Sequence, residues 1–87
     1  MKWSTEAREM VEQLLQELPL PVREGVQQAA ELRAETQAEK DSVAEVSLER
    51  AVAAFIESTP ADLRQRLKHT LSYCGLDPDD YEAAFSA

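Results

Sequence analysis

The sequence predicts an all-α fold, a compact bundle of four main helices with a short fifth helix at the C-terminus. Three observations predict it. Ala, Leu, Glu, Gln, Arg and Lys supply 50 of the 87 residues, whereas isoleucine occurs once, glycine twice and asparagine never; these are the residues that lose little conformational freedom in a helix. Apolar side chains recur at steps of three and four, the spacing of one helical face. The four prolines, Pro19, Pro21, Pro60 and Pro78, fall between these stripes rather than inside them, where a missing amide does least harm.

In the first helix Ala7, Met10, Val11, Leu14, Leu15 and Leu18 form one stripe. Ser4 or Thr5 can cap it, and Glu6 suits the positive end of its dipole. Pro19 ends it by Leu18, since the residue before a proline is pushed out of the helical region. Pro19-Leu20-Pro21 is a stiff corner, with Pro21 in the first turn of a second helix that runs from about Val22 toward Glu39. The second stripe, Val22, Val26, Ala29, Ala30, Leu32 or Arg33, Ala34 and Ala38, is made largely of small residues. It buries little area, and its far end is expected to fray.

Ser42 to Val46 reads as a connector anchored by Val43 and Val46. Ser47 is the N-cap of a third helix, with Val46 and Ala51 placed as a hydrophobic staple. Leu48, Ala51, Val52 and Phe55 share a face there, Ile56 beside them, so this apolar helix belongs at the centre. Thr59-Pro60-Ala61-Asp62 reads as a capping threonine, a proline at the first helical position and an acid that reaches back. The fourth helix carries Leu63, Leu67, Thr70, Leu71 and Cys74, and ends on Gly75-Leu76, a left-handed cap with its hydrophobic contact. Asp77-Pro78-Asp79-Asp80 starts the short last helix, docked through Tyr81, Ala84 and Phe85. Leu14, Leu18, Val52, Phe55, Leu67 and Leu71 are the expected centre of the core. The periodicities predict no strand pairing in residues 5 to 75 and no internal repeat.

A chain of this length builds one core, so residues 1 to 87 are expected to be a single domain. Seventeen acids against nine bases give a formal charge of −8, which repels a phosphate backbone and argues against nucleic-acid or anionic-membrane partners. No run of residues has the length and apolarity of a membrane span. The N-terminus lacks the apolar stretch of a secretory signal, and a single cysteine forms no internal disulfide, so a reducing interior is expected.

Little catalytic chemistry is legible. His69, the only histidine, has no Cys, Asp or second His at ligand spacing and reads as a surface residue. Cys74 lies on the apolar stripe, as a small core hydrophobe would. Gly25 and Gly75 are too few and too far apart for a phosphate loop. Asp77, Asp79 and Asp80 lack the glycine and distal glutamate of a calcium loop and read as a helix cap. Glu31, Glu35 and Glu39 form a solvated face. No catalytic, cofactor-binding or metal-binding residue is therefore assigned. Trp3 reads either as a lid on the core or as an interface anchor. Arg23, one turn after the corner, either pairs with its neighbours Glu24 or Gln27, caps the end of the first helix, or grips a carboxylate.

The order of Trp3, Glu6-Ala7, Leu18-Pro19, Val22-Arg23, an acidic alanine-rich helix, and Val43-Ala44-Glu45-Val46-Ser47 leading into another helix resembles a known domain. It is similar to the small helical domain at the C-terminus of the B subunit of light-independent protochlorophyllide reductase, the PCP reductase domain, which also occurs as short standalone proteins of photosynthetic bacteria. The resemblance covers residues 2 to 57; residues 58 to 87 are an additional helical hairpin. Against the family pattern, the stretch from Trp3 to Pro19 is about one turn longer, Leu20-Pro21 replaces two aromatic residues, and Ser42 stands where a glycine precedes Val43.

The resemblance implies a setting in chlorophyll biosynthesis or photosynthesis, in the cytoplasm or, in a photosynthetic eukaryote, the plastid stroma. It implies kinship with an ATP-dependent, nitrogenase-like oxidoreductase whose cluster and catalytic residues lie outside this domain, so none carries over. The expectation is a non-catalytic module without a cofactor of its own that binds a protein, or a tetrapyrrole, through a surface containing Trp3, Pro19 and Arg23. The alternatives are an accessory part of a reductase active only with other subunits, and a generic acidic helical adaptor.

Overall fold

A computed structural model describes residues 2–86; Met1 and Ala87, the ends of the expected domain, lie outside the described residues. The chain is all-α. Helices α1 (Thr5–Leu15), α2 (Leu20–Lys40), α3 (Leu48–Ser58) and α4 (Ala61–Tyr73) are followed by a 3-10 turn (Pro78–Tyr81) and a short α5 (Glu82–Ser86). Two-residue strands β1 (Lys2–Trp3) and β2 (Glu45–Val46) precede α1 and α3.

Helix α3 is central. It buries Ala51, Val52, Ala54, Phe55 and Ile56 and packs most extensively on α2, then on α1. The six residues expected at the centre of the core are all buried, Phe55 and Leu14 completely. Helix α2 meets α3 along a ridge of Val26, Ala30, Ala34 and Ala38, a four-residue spacing that lines small side chains on one edge and lets two backbones approach closely. This corrects the expectation of a fraying end, because Ala34 and Ala38 are 1% and 0% exposed. Close approach compensates for the small area of each alanine.

The end of α2 is also closed. The Val43 amide donates to the Ala38 carbonyl at 3.0 Å and the Ser42 amide to that of Glu39 at 3.1 Å, the paired bonds of a Schellman cap. Ser42 takes the left-handed position, with φ 57°. Helix α4 ends the same way, with Gly75 at φ 86° and the Leu76 amide on the Leu71 carbonyl at 2.8 Å.

Strand β1 pairs with β2 in parallel, Lys2 opposite Glu45 and Trp3 opposite Val46. A pairing within residues 5 to 75 was not expected. It arises because the residues before both capping serines are extended, and these two stubs lie side by side. The bridge continues with the Ser4 amide donating to the Val46 carbonyl at 3.1 Å. Within the connector Val46 is fully buried while Val43 is 36% exposed, so one valine anchors it and not two. Thr59 departs likewise from its expected role. Its hydroxyl donates to the Phe55 carbonyl at 2.8 Å, closing α3, while the residue at the N-cap of α4 is Pro60 with no side-chain bond.

The same local plan is built twice, although the sequence shows no internal repeat. Each half begins with a two-residue strand and a serine cap, Ser4 accepting from the Ala7 amide and Ser47 from the Arg50 amide. An 11-residue helix follows in each. Each then turns at a proline, Pro19 or Pro60, that caps the next helix, and an arginine one turn later reaches back to the helix just ended. The two strands pair at their equivalent positions.

Candidate functional groove

Trp3 is 8% exposed, so its ring sits as a lid on the core. Its indole Nε1 donates to Glu35 Oε2 at 2.9 Å, and the Arg8 guanidinium lies 5.5 Å from the ring centroid. Glu35 is therefore committed to the indole and departs from the solvated face expected of Glu31, Glu35 and Glu39. Arg23 closes the first corner: its Nη2 donates to the carbonyls of Leu18 at 2.9 Å and Gln16 at 3.2 Å. Those carbonyls have no partner within α1, and a cation at that end also meets the negative pole of the helix. Arg64 does the same for α3, with Nε on the Thr59 carbonyl at 2.9 Å and Nη2 on that of Glu57 at 2.8 Å.

Trp3 and Arg23 do not share a site. Glu35, the indole's partner, lies twelve positions beyond Arg23 on α2, about 18 Å along the axis. Pro19 is exposed and lines a cleft of about 300 Å³ between the α1–α2 corner and α4. Leu18, Pro19, Leu63 and Leu67 give it apolar walls, with Glu17 on one rim and Arg66, His69 and Thr70 on the other. A second, more open hollow shares Glu17, His69 and Thr70 and runs on to Tyr73, which is 87% exposed.

The polar groups of this groove are largely unspent. Thr70 Oγ1 donates to the Arg66 carbonyl at 3.3 Å. The side chains of Arg66 and His69 have no hydrogen bond or ion pair among the described residues. The groove as a whole is not legible in the sequence. The available signal was that Arg66, His69 and Tyr73 recur at the three- and four-residue spacing that puts side chains on one helical face, a face the apolar stripe of α4 leaves unused.

Elsewhere the reactive groups have structural surroundings. Cys74 is half-buried and accepts a bond from Gln13 Nε2 at 3.4 Å. Burial, and then the Glu17 carboxylate, push its thiol pKa up, away from the thiolate a nucleophile needs. Asp77 caps the 3-10 turn by accepting from the Asp79 amide at 3.0 Å. Among the described residues no three His, Cys, Asp or Glu side chains come together to hold a metal ion, and no helix is long and apolar enough to cross a membrane.

In comparisons with known proteins, no family model, no curated protein and no solved structure matches the chain.

Proposed function

We propose that this chain is a non-catalytic helical module that binds a partner, related to the reductase-associated domain it resembles and working in chlorophyll biosynthesis or photosynthesis. The observation that carries the binding role is the groove along α4. Its leucine and proline walls end in an arginine, an imidazole and an exposed tyrosine whose side chains make no hydrogen bond or ion pair among the described residues.

The setting rests on the resemblance alone, and the residues that carry the resemblance have structural roles in this chain. Trp3, Leu18-Pro19, Arg23 and Val46-Ser47 are residues that build the corner, the strand bridge, the closure of the α1 C-terminus and the N-caps of α2 and α3. A pattern made of joints is a pattern of fold. Ser42 adds a further detail, since it holds a left-handed backbone at the position where the family pattern has glycine, the residue that conformation favours. A cytoplasmic or stromal location belongs to the same proposal.

Capture from a lysate of a photosynthetic bacterium tests it. Immobilised chain is expected to retain subunits of light-independent protochlorophyllide reductase, identified by mass spectrometry. Titration with protochlorophyllide, read by quenching of Trp3, separates a protein partner from a pigment. Retention of neither removes the chlorophyll setting and leaves a generic adaptor; reductase turnover that needs this chain makes it an accessory subunit.

A further inference from the structure

We infer that the α4 groove is a docking site for a segment of a partner protein that presents an apolar side chain next to a carboxylate. The inference rests on the binding-module reading and names where, and with what chemistry, that module binds. Charge is distributed very unevenly over the molecule. Helix α4 carries three of the chain's nine Lys and Arg residues and one of its seventeen acids, so an otherwise acidic protein has one basic helix. On that helix Arg64 is spent on the Glu57 and Thr59 carbonyls, and Lys68 lies over the Phe85 ring at 5.4 Å. Among the described residues Arg66 is left exposed on the rim of the cleft without a side-chain partner. A guanidinium in that state is a ready donor to a carboxylate, in the planar two-bond geometry it favours.

The rest of the groove fits a peptide. From Leu63 to Tyr73 it follows α4 for about 15 Å, the length of four or five extended residues at about 3.3 Å each. Leu63 and Pro19 offer one apolar seat, with the buried Leu67 beneath it. Tyr73 and Arg66 are the residue types that most often dominate binding energy at protein interfaces. Glu17, on the opposite rim, accepts a backbone or side-chain N–H and repels a second carboxylate, which sets the direction in which the segment lies.

The test uses the full chain and linear 12-residue peptides displayed on phage. Enriched peptides are expected to carry Asp or Glu within two positions of a large apolar residue. By fluorescence anisotropy their affinity should fall at least tenfold for Arg66→Glu and for Tyr73→Ala, and stay within twofold for Leu20→Ser, an exposed leucine outside the groove. Replacing the peptide's acid by lysine should restore binding to Arg66→Glu. Both substituted groove residues are exposed, and circular dichroism verifies that each variant is folded. Failure to enrich any peptide, or affinity indifferent to both groove substitutions, overturns the inference. Reductase subunits still captured by Arg66→Glu overturn the site while leaving the binding-module reading intact. Acidic peptides bound in the groove without capture of any reductase subunit sustain the site and remove the chlorophyll setting.

Discussion

Arg23 and Arg64 stand four residues after Pro19 and Pro60, and each donates to the carbonyl of the residue before its proline, Leu18 at 2.9 Å and Thr59 at 2.9 Å. Each pair solves the same problem. A proline starts the new helix without an amide of its own, the old helix ends with carbonyls unmet, and a side chain one turn ahead is long enough to reach them.

Replacing Arg23 with alanine should therefore destabilise the chain by about 1–2 kcal/mol, the scale of a charge-assisted hydrogen bond at a helix end. Lysine should recover less than half of that, since its more strongly hydrated ammonium loses more than a guanidinium does at this part-buried corner. Urea denaturation measures both; an unchanged midpoint for Arg23→Ala would show that the guanidinium does not hold the corner.

Phe55→Ala should cost about 3–5 kcal/mol, because the ring is fully buried in a domain whose whole stability is of the order of 5–15 kcal/mol. The variant should melt far below the native chain. A thermal midpoint equal to the native one would contradict the central position of α3.

Ser42→Gly should stabilise the chain by about 0.5–1 kcal/mol, since a side chain at left-handed φ is strained and glycine is not. Its greater freedom in the unfolded chain removes part of the gain. A loss of stability would mean that Ser42 is not a left-handed cap in solution.

Tyr81 sets an alkaline limit. Burial, then the carboxylates of Glu49 and Asp80, raise its phenol pKa above the ordinary value, so the folded state holds that proton more tightly than the unfolded one. The contribution is fully present below the ordinary phenol pKa of about 10 and is lost as pH rises through the folded value. Tyr81→Phe should lack this loss. Denaturation midpoints measured across that range check it, and parallel curves for the two proteins would contradict it.

Much of the fold was legible in the sequence because helices are local. Ser47 and Gly75 announced their caps through side-chain chemistry and backbone freedom alone, Ser4 was one of two candidates with Thr5, and the spacing of Leu14, Phe55 and Leu67 placed the core. The strand bridge was not legible, since two residues carry no periodicity and their pairing joins positions 3 and 46. The repeated plan escaped for a related reason: it lies in hydrogen bonds from Arg23 and Arg64, not in matching stripes. Of the residues singled out for binding, Pro19 reaches the groove, while Trp3 and Arg23 are engaged by Glu35 and by the end of α1. The groove itself depends on how α4 lies against the first corner, a tertiary relation that no window of sequence contains.

The claim that α4 binds while the N-terminal joints hold the scaffold meets its most direct test in amide hydrogen exchange on the full chain, with and without an enriched acidic peptide. Exchange should slow over residues 63 to 73, with residues 2 to 3 and 20 to 28 unchanged. Slowing confined to those N-terminal residues, with α4 exchanging as before, would contradict it.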